Sequence, residues 1–132
     1  MKAKILIVDD DQDITTMLED RLQASDYGTL VASDGVQALE KVEQEAPHLM
    51  LLDLDMPRLG GLDVLKRLPT VKQAEDIPVI VMTAHGSIEA AVEAMKHGAY
   101  DFLTKPLDKD HLLLVIGKAL ERPRVRDVHE TG

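Results

Sequence analysis

Five short apolar runs, each followed by a stretch with helical spacing, constrain this chain more than any other feature. The runs cover residues 5–8, 28–32, 49–52, 79–82 and, more weakly, 100–104. The first, third and fourth show little polar–apolar alternation, the mark of strands buried on both faces. Between them the apolar residues recur at three- and four-residue intervals. Ile14, Met17, Leu18 and Leu22 form one stripe; Val36, Leu39 and Val42 a second; Leu62, Leu65 and Leu68 a third. Ile88, Ala91, Val92 and Met95 form the fourth, and Leu112, Val115, Ile116 and Ala119 the fifth, all expected to face inward. Stop and start residues fit. Asp11, Asp34 with Gln37, Ser87 and Asp108 are placed to cap helices, while Pro47, Pro69 and Gly98 close them.

Strand–helix alternation with crossovers of this length requires parallel pairing and right-handed connections. Five units are too few for a closed eight-stranded barrel. The expected fold is therefore α/β, a (βα)5 doubly wound parallel sheet in the flavodoxin-like order 2-1-3-4-5. One domain accounts for residues 1–121. Residues 122–132 lose all periodicity and read as a linker or disordered tail, truncated ahead of an output domain.

Composition narrows the function classes. Aromatics are 2% of 132 residues, so Leu, Ile, Val, Met and Ala must build the core. The absence of cysteine excludes disulfides, zinc–thiolate sites and a thiol nucleophile, and agrees with a cytoplasmic location. A formal charge of -9 repels phosphate backbones, so no direct nucleic-acid binding is expected. Neither a secretion signal nor a membrane-spanning run is evident.

In open α/β sheets ligands bind beyond the carboxyl ends of the strands, where strand order reverses. Here the first run ends in Asp9-Asp10-Asp11, the third in Asp53 with Asp55 just beyond, the fourth in Thr83 and the fifth in Lys105. Carboxylates from adjacent strands repel unless a hard divalent cation relieves them, and Mg2+ suits oxygen ligands of this kind. Lys105 is the available counter-charge, and its bond to Pro106 is a candidate for the cis form. Asp11 alone reads best as a helix cap. Thr83 is either a β-former ending its strand or a hydroxyl donor to an added phosphoryl oxygen. Gly61 supplies a positive φ or an easy helix entry, and Phe102 taken alone reads as core.

The pieces Ile5-Leu6-Ile7-Val8-Asp9-Asp10-Asp11, Leu51-Leu52-Asp53-Leu54-Asp55-Met56-Pro57 with Gly61, Val81-Met82-Thr83-Ala84 and Lys105-Pro106 resemble the receiver domain of two-component response regulators over residues 3–121. The segment from Thr83-Ala84-His85-Gly86 to Leu103 is most similar to the nitrogen-regulator type, which precedes sigma-54 activators. The resemblance implies that Asp53 accepts a phosphoryl group from a sensor histidine kinase, with Asp9, Asp10 and the Asp55 backbone carbonyl holding Mg2+. It implies that Thr83 and Lys105 bind the phosphoryl oxygens and that Ala84 leaves them room. Thr83 and Phe102 would form the switch, and Asp55 and His85 would set how fast water removes the group. The change would pass through the face of helix 4, strand 5 and helix 5 to an output domain or effector, a face that also serves homodimers. Leu59-Gly60 departs from the usual Met followed by Asp or Asn, which bears on loop stiffness. An aspartyl phosphatase fits poorly because Pro57 stands where its motif needs Thr or Val. A flavin protein fits poorly because three aspartates occupy the phosphate loop. A receiver-like scaffold that is never phosphorylated is opposed by the full acidic set.

Overall fold

The pattern of alternating runs becomes a five-stranded parallel sheet with the order β2-β1-β3-β4-β5. The structure, a computed structural model, describes residues 2–56, 59–71, 74, 77–84 and 88–121. The strands are β1 (Lys4–Val8), β2 (Gly28–Ala32), β3 (Leu49–Asp53), β4 (Val79–Thr83) and β5 (Asp101–Thr104). The helices are α1 (Gln12–Ala24), α2 (Gly35–Glu45), α3 (Gly61–Arg67), α4 (Ile88–Lys96) and α5 (Lys109–Glu121). Residues 122–132, the expected tail, and Ser87, the expected α4 cap, lie outside the described residues.

Side chains alternate across each strand, so the central strands feed two cores. Leu6, Val8, Met50, Leu52, Val79 and Val81 pack with Ala38 and Val42 of α2, Val64 and Leu65 of α3 and Ala94 of α4. Ile5, Ile7, Leu49, Leu51, Ile80 and Met82 pack with Leu18 and Leu22 of α1 and Leu112, Val115, Ile116 and Ala119 of α5. Each fully buried Leu or Ile contributes about 1.5–3 kcal/mol of transfer free energy, so these two layers hold the sheet between the helices.

The helix ends are set by side chains as expected. Asp11 accepts from the Asp13 and Ile14 N–H groups at 2.9 and 3.4 Å, Asp34 from Gln37 N–H at 2.9 Å, and Asp108 from His111 N–H at 2.9 Å. Pro69 does not end the third helix outright; it sits inside a 3-10 turn, Leu68–Thr70, that continues it. Ala46 closes α2 in the left-handed region, with φ 46° and ψ 61°. That conformation strains a residue carrying a Cβ. Ala46→Gly should therefore raise stability by about 0.5–1 kcal/mol, the relief exceeding glycine's entropic cost. Urea unfolding would register it as a higher midpoint at unchanged slope; a lower midpoint would show that Ala46 is not strained.

One helical stripe is oriented differently from expectation. On α4 the buried residues are Ala91 and Ala94, whereas Ile88 (65% exposed), Val92 and Met95 face solvent. Small alanines let the helix backbone approach β4 closely, and the larger side chains are turned out. On α2, Val42 is buried and Leu39 packs against the core as the spacing predicts, while Val36 is exposed.

Candidate functional site

Strand register alone collects the chemistry at one end of the sheet. Val8 stands opposite Leu52, so Asp9 and Asp53, one residue on, are level on neighbouring strands. Asp53 stands opposite Met82, and Thr83 opposite Thr104, which brings Lys105 to the same edge. The Lys105 N–H donates to the Thr83 carbonyl at 2.8 Å, extending the pairing to the lysine itself. Asp9, Asp53 and Lys105 also share the strand parity of Ile7, Leu51 and Leu103, so all three belong to the α1/α5 face. The Lys105–Pro106 peptide bond is cis.

The resulting geometry is a buried acid pair bridged by an amine. Lys105 Nζ donates to Asp9 Oδ2 at 2.9 Å and lies 3.5 Å from Asp53 Oδ1. Backbone donors hold the other oxygen of Asp9 and the same oxygen of Asp53. Asp11 N–H donates to Asp9 Oδ1 at 2.9 Å, and Asp55 N–H donates to Asp53 Oδ1 at 3.1 Å. Asp10 is exposed beside the pair. Asp9, Asp10 and Asp53 each offer a carboxylate oxygen, and these oxygens lie within 4.8 Å of one another. From Asp9 and Asp10 a groove of about 490 Å³ runs between α1 and β2, lined by Thr15, Thr16, Glu19, Thr29 and Ser33.

Electrostatics follow from burial. Asp53 is 2% exposed. Its carboxyl is pushed up to about 6, chiefly by burial, with the Asp9 charge adding to the rise; the Asp55 N–H and Lys105 only partly offset it. For Lys105, burial pulls the amine down, but the hydrogen bond to Asp9 and the charges of Asp53 and Asp9 prevail and hold it above the ordinary lysine value. The lysine thus stays charged and the site keeps a net negative charge once Asp53 ionises. Three hard oxygen donors with an excess of negative charge suit a small divalent cation.

The remaining expected residues fall as follows. Thr83 is 1% exposed, and its Oγ1 is buried with no hydrogen-bond partner. A buried hydroxyl without a partner is costly and points to a ligand that would supply one. Ala84 is exposed next to it, and the Asp55 side chain is exposed in the loop. Phe102 is not core: it is 38% exposed on edge strand β5, where only one neighbour strand covers it. Gly61 does not have a positive φ; among the described glycines that conformation belongs to Gly98. Gly61 is needed for space, since a Cβ there would fall 2.5 Å from the Asp53 carbonyl oxygen. His85 and Pro57 lie outside the described residues. Sequence reasoning missed the two backbone N–H donors, although an Asp two residues before a turn amide is a known local pattern. Among the described residues no helix is long and apolar enough to cross a membrane.

Comparison with known proteins gives a concordant result. The family description "Response regulator receiver domain" matches residues 5–117. The transcriptional regulatory protein ZraR of Klebsiella oxytoca is 42% identical over 126 residues, covering 96% of this chain and 28% of that protein. NtrX from Brucella abortus, solved in complex with ADP, superposes with a TM-score of 0.85 at 41% identity, covering 92% of this chain and 27% of that one. A putative response regulator from Chloroflexus aurantiacus superposes with a TM-score of 0.88 at 30% identity, covering 92% of this chain and 100% of that one. The chain thus spans just over a quarter of ZraR and of NtrX.

Proposed function

This chain belongs to the response regulator receiver domain family, and we propose that within it Asp53 is the phosphoacceptor of a magnesium-dependent switch. The single observation that carries the reading is the convergence of three carboxylates within 4.8 Å with one amine 3.5 Å from Asp53.

The chain's own groups divide the work. Asp53 is the nucleophile, and the Asp55 N–H that donates to its Oδ1 helps fix the carboxylate plane. Asp9, Asp10, Asp53 and the Asp55 backbone carbonyl would hold Mg2+, which when bound neutralises charge on the transferring group. Lys105 shifts its hydrogen bond from Asp9 toward a phosphoryl oxygen, and the partnerless Thr83 hydroxyl donates to another. Both act on charge that grows in the transition state. Asp55 and His85 tune hydrolysis of the acyl phosphate.

A sensor histidine kinase is the donor, and an output domain or effector reads the result, with transcription as the regulated process. Thr83 drawn toward the phosphoryl group changes the packing beside β5. The exposed Phe102 then has somewhere to go, and the face carrying Ile88, Val92 and Met95 is altered with it. That is a two-state shift biased by local charge. The same face is apolar enough to pair with a partner or a second copy. Residues 1–121 are the receiver and 122–132 the link onward, in a protein that works in the cytoplasm.

Incubation with magnesium and acetyl phosphate should add one phosphoryl group per chain, detected on the intact protein by mass. Asp53→Asn should take up none. A phosphoryl group that persists on the variant would assign the acceptor elsewhere.

A further inference from the structure

Gly35 is the buried first residue of α2. Its backbone angle does not call for glycine. Its surroundings do. A Cβ at Gly35 would fall 2.5 Å from the Leu59 carbonyl oxygen and 2.8 Å from both Leu59 Cβ and Val64 Cγ2. Two of these atoms are backbone or its first branch, so they cannot rotate away. Leu59 belongs to the segment that leaves β3 at Asp53, passes Asp55 and enters α3 at Gly61. A second close approach lies next to it: a Cβ at Gly61 would lie 2.5 Å from the Asp53 carbonyl oxygen and 2.8 Å from Leu54 Cα. Glycine clearances therefore seat α2 against Leu59 and Val64, and the start of α3 against the end of β3.

The first turn of α2 is a firm abutment. Asp34 accepts from Gln37 N–H at 2.9 Å, while Gln37 Oε1 accepts from Ser33 N–H at 3.0 Å and from Ser33 Oγ at 3.1 Å. This reciprocal arrangement fixes where the helix begins. We propose that Gly35 is a positioning residue for the acid site: the α2 N-terminus sets the seat of Leu59 and Val64 at the entry to α3 and, through the close approach of Gly61 to Asp53 and Leu54, the placement of Asp53 against Asp9 and Asp10. The inference rests on reading that cluster as a magnesium site.

The test is magnesium binding by titration calorimetry on the full chain, alongside thermal unfolding without metal. Gly35→Ala should weaken Mg2+ binding by about tenfold, the scale on which supporting contacts tune metal sites. The magnesium needed for half-maximal phosphorylation by acetyl phosphate should rise in parallel, with the rate largely recovered at saturation. Gly117→Ala is the control, since a Cβ there meets nothing within 4 Å, and it should leave the affinity unchanged. A Gly35→Ala protein that melts lower yet binds magnesium like wild type overturns the proposal. If that variant does not fold, Asp34→Ala loosens the same turn without adding bulk. A smaller loss of affinity is then expected, and an unchanged affinity overturns the idea. Wild-type protein that binds no magnesium removes the reading of the site first, and this inference with it.

Discussion

Asp53→Asn should stabilise the magnesium-free protein by about 1–3 kcal/mol at neutral pH, even though it removes the proposed phosphoacceptor. Asp53 is 2% exposed, and burial raises its carboxyl from 3.8 to about 6. A shift of about two pH units corresponds to about 3 kcal/mol of preference for the neutral form, which sets the ceiling. Asn keeps an acceptor for the Asp55 N–H but loses attraction to Lys105 at 3.5 Å, which lowers the gain. The sign fixes the pH window. A carboxyl that holds its proton more tightly when folded costs stability above pH 6, where both states are ionised. That cost fades as pH falls from 6 toward 3.8 and is absent below it. Urea unfolding in EDTA at pH 7 and at pH 4 should therefore show a clear advantage for the variant at the first pH and little at the second. Saturating magnesium should reverse the order at pH 7, because a ligand that binds only the folded wild type stabilises it by mass action. A wild type more stable than the variant at pH 7 without metal would mean that Asp53 is not a buried, uncompensated charge.

Lys105→Met should cost about 3 kcal/mol in the absence of metal. Methionine keeps most of the aliphatic stem but removes the amine 2.9 Å from Asp9 Oδ2. The Asp9 side chain is fully buried, so it is left with a single backbone donor, Asp11 N–H, and Asp53 as a neighbour of like charge. Breaking a buried pair by removing one partner costs about 3–5 kcal/mol, and the partly exposed lysine places this case at the lower end. Magnesium should restore much of the loss by replacing the missing positive charge. Phosphorylation should stay slow at any metal concentration, since the amine proposed to neutralise a phosphoryl oxygen is gone. Equilibrium unfolding with and without magnesium checks the first part and acetyl phosphate kinetics the second. A variant as stable as wild type in EDTA would show that Asp9 is neutral or hydrated in the fold.

Where sequence reasoning failed, the cause is specific. On α4, apolar spacing admits Ile88, Val92 and Met95 as readily as Ala91 and Ala94, and the larger residues look like the better core. The helix instead seats on its alanines because they let its backbone come close to β4. Phe102 has core chemistry, but β5 is an edge strand and one flank of it stays open. For Gly61, a turn-rich stretch suggests a positive φ or an easy helix entry; it does open α3, and the further demand is clearance from Asp53, which no local pattern encodes.

The sequence by itself determined the strand–helix alternation, most helix caps, the sheet order and the meeting of Asp9, Asp53 and Lys105 at one edge. Periodicity, caps and strand ends are written in a few adjacent residues, and parallel topology then leaves one sensible place for the strand termini. Tertiary structure alone decided which face α4 presents, that Thr83 Oγ1 has no partner, and that Gly35 abuts Leu59. Those outcomes depend on ångström-scale seating of elements far apart in the chain, where a single Cβ or a few degrees of helix rotation changes which atoms touch.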